Sequence, residues 1–244
     1  MNNLPVTVSV VIPAYGQCEY LAEVVGALLR QTVQPCEILI GHSGSHDPTE
    51  TIGAMDPRIT VYHTEDRMYA GAARNHAAEH ATGDWLAFLD ADVIPDRDWL
   101  ESFLETAQSS GDAYYLAGSL GYARSGGYWG LCLWIIELGS QHPYMPAREV
   151  QAMGGGNGFV KRSNFVNVGG FPHDMQVAED SFLQRRLRES GVTIEFCPSA
   201  VGRHCNIGGL RYFLDHLKPL GRNAANIRQI FQYRGSLAAR HPIL

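Results

Sequence analysis

The sequence predicts an α/β domain of Rossmann-like form, with a mostly parallel central sheet flanked by helices. Three observations carry that prediction. Short apolar runs recur at residues 6–12, 37–40, 59–63 and 85–89. Longer segments with apolar residues at helical spacing alternate with them, which is the rhythm of βαβ units. Turn-forming residues follow the runs at 13–15, 41–45 and 90–92, so three loops share the carboxyl edge of the sheet, where ligands of such sheets bind.

Residues 6–12 form a nearly continuous β-branched run closed by Pro13, as expected of a strand buried on both faces. Leu21, Val24, Val25, Leu28 and Leu29 share one face of a helix over 20–31. After the second strand, Ser45 or Asp47 can cap a helix entered at Pro48. The third strand is followed by an Ala-rich helix over 68–80, closed by Gly83. The fourth strand, 85–89, ends at an acidic turn and Pro95.

The second half is less regular. A helix is expected at 98–109, a strand at 114–120, and at 154–158 a Gly-rich loop that lets something approach the backbone closely. A short helix at 163–168 stops at Gly169-Gly170, and a longer one at 179–190 stops at Gly191. Two short strands follow at 193–197 and 200–204. Apolar residues from Leu210 to Phe231 fall on one helical face, with Pro219 expected to split that element. With no repeat and no linker, the chain reads as one domain.

Composition narrows the functional classes. Of 244 residues, 45% are hydrophobic and 18% charged, which suits a sizeable core rather than disorder. No apolar run reaches membrane-spanning length, the longest candidate being 128–138, and no secretory signal opens the chain. A cytoplasmic protein is expected. Cys18, Cys36, Cys132, Cys197 and Cys205 form no Cys-x-x-Cys pair, so free buried thiols are expected rather than disulfides or a zinc cluster. Net charge is −6, unevenly spread: from Arg203 onward seven Lys/Arg face one acid, Asp215. The acidic body does not suit nucleic acid. The basic tail suits a phosphate, an anionic membrane or simply a solvated helix face.

Asp90 and Asp92 stand where the fourth strand leaves the sheet. Two carboxylates so placed can share a Mg²⁺ or Mn²⁺ ion whose shell is completed by phosphate oxygens. Alone, an Asp-x-Asp turn is a weak signal. Four further segments accompany it: Val8-Ser-Val-Val-Ile-Pro-Ala-Tyr15, residues 37–49, Ala72-Ala-Arg-Asn75 ahead of Gly83-Asp84, and Val168-Gly-Gly-Phe171 ahead of Glu179-Asp180 and Arg186-Leu-Arg-Glu-Ser-Gly191. In this order they resemble the family 2 glycosyltransferases, the inverting group with the GT-A fold, over about residues 6–204.

That resemblance implies sugar transfer from a nucleotide-sugar donor to a saccharide or lipid-linked acceptor, in cell-envelope polysaccharide or glycolipid synthesis. It implies a nucleotide-binding half at about 1–95 and an acceptor half at about 96–204, with 205–244 a basic helical segment packed on the same domain. Asp92 would hold the Mn²⁺ or Mg²⁺ ion, with Asp90 beside it and His204 reaching the metal or diphosphate. Pro13, Ala14 and Tyr15 would floor the nucleoside site, with Ala91 between the acids. Arg74 would contact a phosphate or pair with an acid. Asn157 would meet a sugar or serve as a turn residue. Either Asp180 or Glu179 would be the base, Asp180 being preferred. As acids in the first turn of a helix, both also suit its dipole.

Relatives usually carry Asp after the second strand to read uracil; here His42 and Ser43 stand instead. Ser43 can still accept a hydrogen bond, but the charge-assisted contact is lost. A UDP-sugar is the default donor, with GDP and dTDP open. Two rival readings are a nucleotidyltransferase, which the lack of a basic residue after the first strand disfavours, and a catalytically degenerate binding module. Arg211, Lys218 and Arg222 share a helical face, and with Trp129 and Trp134 they suggest peripheral membrane association.

Overall fold

The computed structural model describes residues 6–110, 114–123 and 126–230, the last stretch without the side chains of Pro219 and residues 222–230. The first half comprises β1 (Val8–Tyr15), α1 (Leu21–Leu28), β2 (Glu37–Ser43), α2 (Thr49–Ile52), β3 (Ile59–Thr64), α3 (Ala70–Ala78) and β4 (Trp85–Leu89). These strands lie parallel in the order β3-β2-β1-β4. Val10, Ile12, Ile38, Ile40, Ala87 and Leu89 pack on one face with Val24 and Leu28 of α1. Val11, Leu39, Leu86 and Phe88 pack on the other with Ala77 of α3. Both faces are therefore buried, which is why the strands read as continuous apolar runs rather than alternating ones. Asp47 Oδ1 accepts the Thr49 N–H at 2.9 Å, holding the entry to α2.

The second half adds β5 (Val93–Pro95), α4 (Trp99–Ser110), β6 (Tyr114–Tyr122), α5 (Gly127–Leu138), β7 (Arg148–Glu149), β8 (Asn157–Lys161), α6 (Arg162–Asn167), α7 (Glu179–Glu189), β9 (Thr193–His204) and α8 (Leu210–Ile230). The sheet continues β4-β8-β6-β9-β5, with β7 also on β9. β8 runs antiparallel between β4 and β6, while β9 runs parallel to β6. The chain leaves β4 at Leu89 and enters β5 at Val93, which pairs with His204 at the end of β9. The Asp90–Asp92 turn thus joins the middle of the sheet to its far end, and the end of β9 comes beside the two carboxylates.

Several elements differ from the sequence expectation. β1 does not stop at Pro13 but pairs with β2 as far as Tyr15. β4 pairs with β1 only to Val11, so beyond that point β1 is an edge that tolerates proline. The expected strands 193–197 and 200–204 are one strand, β9, whose register against β6 shifts at Gly118/Ser119. α8 runs on through Pro219 instead of breaking there. Residues 128–138, read only as an apolar stretch, form most of α5, whose Trp134 is buried rather than free to anchor at an interface. Trp129 packs on Phe213 of α8. None of the five cysteines is in a disulfide, but Cys36 is exposed and only Cys197 and Cys205 are buried. Among the described residues, no helix is long and apolar enough to cross a membrane.

Candidate active site

A cleft of ≈ 430 Å³ opens at the carboxyl ends of β1 and β4. Pro13, Ala14 and Tyr15 line it on one side, Met68, Ala70 and Ala73 on another, and Asp90, Ala91 and Asp92 on a third. The Cys205 N–H donates to the Asp92 backbone carbonyl at 2.8 Å, so the end of β9 is tied to the acidic turn. His204 Nε2 lies 3.6 Å from Asp92 Oδ2, and its Nδ1 is 3.0 Å from Asn206 Oδ1. The two ring nitrogens of His204 thus face two oxygens, one on Asp92 and one on Asn206. Burial pushes the half-buried Asp92 carboxyl up, and Asp90 adds to that push against the pull of His204. The Asp90 and Asp92 carboxylates and the His204 ring are donor types that suit a hard divalent cation, but among the described residues no group of three or more His, Cys, Asp or Glu is gathered so as to hold one.

Asp90 also borders a second cleft of ≈ 960 Å³, which holds Glu179, Asp180 and His204. Asp180 Oδ2 accepts the Gly155 N–H and Oδ1 the Ser181 N–H, each at 2.7 Å. Burial and the neighbouring Glu179 raise the Asp180 carboxyl to about 6 despite these donors. The Gly-rich segment lets two carboxylates approach its backbone. A Cβ at Gly155 would lie 2.7 Å from Asp180 Cβ, and one at Gly156 would lie 2.5 Å from Asp90 Oδ2. Ala178, just before α7, is left-handed at φ 66, a strained conformation at the residue that delivers the two acids.

Other expected site residues make contacts that the sequence does not disclose. Arg74 is 2% exposed and donates from Nη2 to Asp90 Oδ1 at 2.6 Å and from Nη1 to Glu179 Oε1 at 2.8 Å. Burial alone would lower its pKa, but the two carboxylates outweigh it and raise it, so the guanidinium stays charged. It is committed to two acids, not to a phosphate. Asn157 is a core residue of β8 rather than a loop residue meeting a sugar. Its Oδ1 accepts from Trp99 Nε1, and its Nδ2 donates to the Ser119 and Ala200 carbonyls, which pins the irregular stretch of β6 and β9. Ser43 is fully buried and its Oγ accepts the Met68 N–H at 3.1 Å. His42 is also buried, between His63 Nδ1 and the Gly16 carbonyl, each 2.9 Å away. Neither residue lines the first cleft.

Sequence reasoning missed Gln17, Cys18 and Cys205 on the first cleft and Gln141 on the second. None carries a motif, because each arrives through a loop whose path depends on the tertiary fold. The glycine run at 154–156 was the one available signal, and the groups that approach it are Asp180 and Asp90.

A cleft at the carboxyl edge of an α/β sheet, bordered by an Asp-x-Asp turn and adjoining a second cleft with the carboxylates of Glu179 and Asp180, is the kind of site found in nucleotide-sugar transferases. Residues 9–168 match the family described as Glycosyl transferase family 2, and the chain belongs to that family. It is 26% identical over 204 residues to the glycosyltransferase AglE of Haloferax volcanii, covering 81% of this chain and 66% of that one. It is 29% identical over 246 residues to the pre-mycofactocin glycosyltransferase of Mycobacterium tuberculosis, covering 96% of this chain and 48% of that one. The chain thus spans about half to two thirds of the length of these relatives. Its GT-A fold is shared with the structure of GalNAc-T7 with UDP, GalNAc and Mn²⁺ (TM-score 0.66, 20% identity, covering 84% of this chain and 44% of that chain). It is shared too with the mannosyltransferase PcManGT of Pyrobaculum calidifontis in complex with GDP-Man and Mn²⁺ (TM-score 0.61, 23% identity, covering 81% and 56%).

Proposed function

We propose that this chain is an inverting, metal-dependent glycosyltransferase that moves a sugar from a nucleoside-diphosphate sugar, UDP-linked by default, to an acceptor hydroxyl. The observation that carries the reading is the place of Asp90, which borders both the cleft of the Asp-x-Asp turn and the cleft of Asp180. A donor in the first cleft and an acceptor in the second would meet there. Asp180 takes the proton of the acceptor hydroxyl as its oxygen attacks the anomeric carbon. The bond from that carbon to the diphosphate breaks on the opposite face, which inverts the centre. A carboxylate raised to about 6 is a stronger proton acceptor than an ordinary one and is still ionised at pH 7. Asp92, with Asp90 and His204 beside it, would hold Mn²⁺ or Mg²⁺, which when bound supplies Lewis-acid stabilisation of the diphosphate leaving group.

Relatives carry names from cell-envelope and lipid-linked chemistry, among them a putative teichuronic acid biosynthesis glycosyltransferase of Bacillus subtilis and a glucosyl-dolichyl phosphate glucuronosyltransferase of Haloferax volcanii. We extend that setting to this chain, including a peripheral position on an anionic membrane. Arg211 and Lys218 both face Asp215, which partly offsets the positive field on that part of α8. Salt-sensitive co-sedimentation with anionic vesicles supports that position, and full recovery in the supernatant removes it.

The test of the function is a panel of UDP-, GDP- and dTDP-sugars with Mn²⁺, read as release of nucleoside diphosphate. Release from one class supports the transferase and names the base. Release of sugar 1-phosphate, with added pyrophosphate consumed to form the nucleoside triphosphate, would point to a nucleotidyltransferase. Donor binding without turnover would point to the degenerate module, a reading favoured only by the locked His42.

A further inference from the structure

The ≈ 960 Å³ cleft that holds Asp180 is lined unevenly. Asp180, Arg74 and Gln141 line a polar end around residues 154–156, while Glu137 of α5, which also lines the cleft, faces His216 of α8. Ile136 and Leu138 of α5 and Leu217 and Leu220 of α8 form an apolar wall. Two polar atoms of the polar end, Arg74 Nε and Gln141 Oε1, are buried without a hydrogen-bond partner, on residues only 2% and 3% exposed. Buried donors and acceptors are almost always paired, so these atoms suit a polar ligand. Ile136, by contrast, is 59% exposed although aliphatic. The wall itself is braced: Trp129 packs on Phe213, and His216 Nε2 lies 2.9 Å from Glu137 Oε1, joining α8 to α5.

We infer that this cleft takes an amphiphilic acceptor: a sugar or similar polyol whose reacting hydroxyl lies at Asp180, joined to an apolar body that runs along α5 and α8. The inference rests on the reading of Asp180 as the base. The two ends of such a molecule do different work. The polar head finds directional partners at Asp180, Arg74 Nε and Gln141, which orient one hydroxyl. The apolar body has no directional partner, but it removes the wall from water and adds affinity in proportion to the area covered. A wholly hydrophilic saccharide would satisfy the first end and leave the second facing water.

Matched glycosides separate the two ends, because methyl and n-octyl β-D-glucoside carry the same hydroxyls and differ only in the tail. The same pairs of mannosides and galactosides extend the test to other heads. Binding to the full chain is measured by calorimetry below the micelle concentration, with and without UDP or GDP and Mn²⁺. In at least one pair the octyl member should bind tenfold more tightly or better, since burying roughly two methylenes suffices for that. Ile136→Ser and Leu217→Ser should each pull the ratio toward one while leaving the methyl glycoside unchanged. Ile136 is exposed, so its replacement keeps the fold. Equal affinities within every pair, no octyl binding to any head, or an octyl advantage untouched in both variants would each overturn the inference. Binding is read without turnover, so an octyl preference in a protein that releases nucleoside diphosphate from none of the donors would reject the transferase reading and keep the ligand class.

Discussion

Arg74 and Asp90 are joined by a 2.6 Å charge-assisted hydrogen bond at the boundary of the two clefts. The other arm of the same buried guanidinium holds Glu179 at 2.8 Å, beside the proposed base. One cation therefore neutralises a carboxylate on each side of the reacting centre. Replacing it by Met leaves two acids with no partner in poorly hydrated surroundings. Arg74→Met should destabilise the fold by about 3–5 kcal/mol, the usual cost of removing one partner from a buried ion pair. Arg74→Lys keeps the charge but not the fork and should lose less. Urea denaturation of the three proteins checks this, and equal midpoints for wild type and Arg74→Met would show that the bracket carries no stability.

Asp92 stands at the open end of the same constellation, next to a His204 ring that points at its carboxylate. Asp92→Ala removes the acid that Arg74 does not engage. Nucleoside-diphosphate affinity should then lose its dependence on Mn²⁺, and turnover should fall to background. Calorimetric titration of UDP and GDP with and without Mn²⁺ measures this. Undiminished Mn²⁺-dependent binding in the variant would move the metal site elsewhere.

The buried His42, held against His63, makes a stability prediction. Burial lowers the His42 pKa, with the charge of His63 adding to that and the Gly16 carbonyl opposing it. The unfolded chain therefore takes up protons at His42 before the folded chain does. Stability from this residue is full above the ordinary histidine value of about 6.5 and declines as pH falls below it. The slope should stay under roughly 1.4 kcal/mol per pH unit, the limit for one proton. Denaturation between pH 8 and pH 5 should show a flatter slope in His42→Asn than in wild type. Identical slopes would mean that His42 titrates alike in both states.

The elements that the sequence discloses are those whose pattern is local. β1 to β4 are continuous apolar runs because both their faces are buried, and the turns after β1 and β4 bring Pro13, Ala14, Tyr15, Asp90 and Asp92 to one cleft. What the sequence hides is set by partners far along the chain. Asn157 looks like a loop residue in a glycine run, yet Trp99, Ser119 and Ala200 hold it in the core. Arg74 looks like a surface cation, yet Glu179, 105 residues away, completes its pairing. His42 and Ser43 stand where a base reader is expected, yet His63 and Met68 occupy their polar atoms. In each case a polar residue is satisfied by a contact that no spacing rule encodes.

Asp180 carries the last prediction. Burial and Glu179 raise its carboxyl from the ordinary 3.8 to about 6, while the Ser181 and Gly155 amides and Arg74 limit the rise. The sign differs for stability and for turnover. For stability, the folded chain binds the proton more tightly than the unfolded one, so the contribution is full below about 3.8 and is lost as pH rises through about 6. For turnover, only the ionised form accepts a proton, so the rate should fall as pH drops below about 6 and level off above it. Asp180→Asn keeps the shape and hydrogen-bond reach of the side chain but cannot take the proton. Its rate should drop by roughly 10²–10⁴ and lose the acidic limb, with donor affinity nearly unchanged. Glu179→Gln should keep the limb and shift it to lower pH, because the like charge that raises Asp180 is gone. Rate profiles from pH 5 to pH 8 on the three proteins decide between the two acids. A large loss in Glu179→Gln with little in Asp180→Asn would exchange their roles.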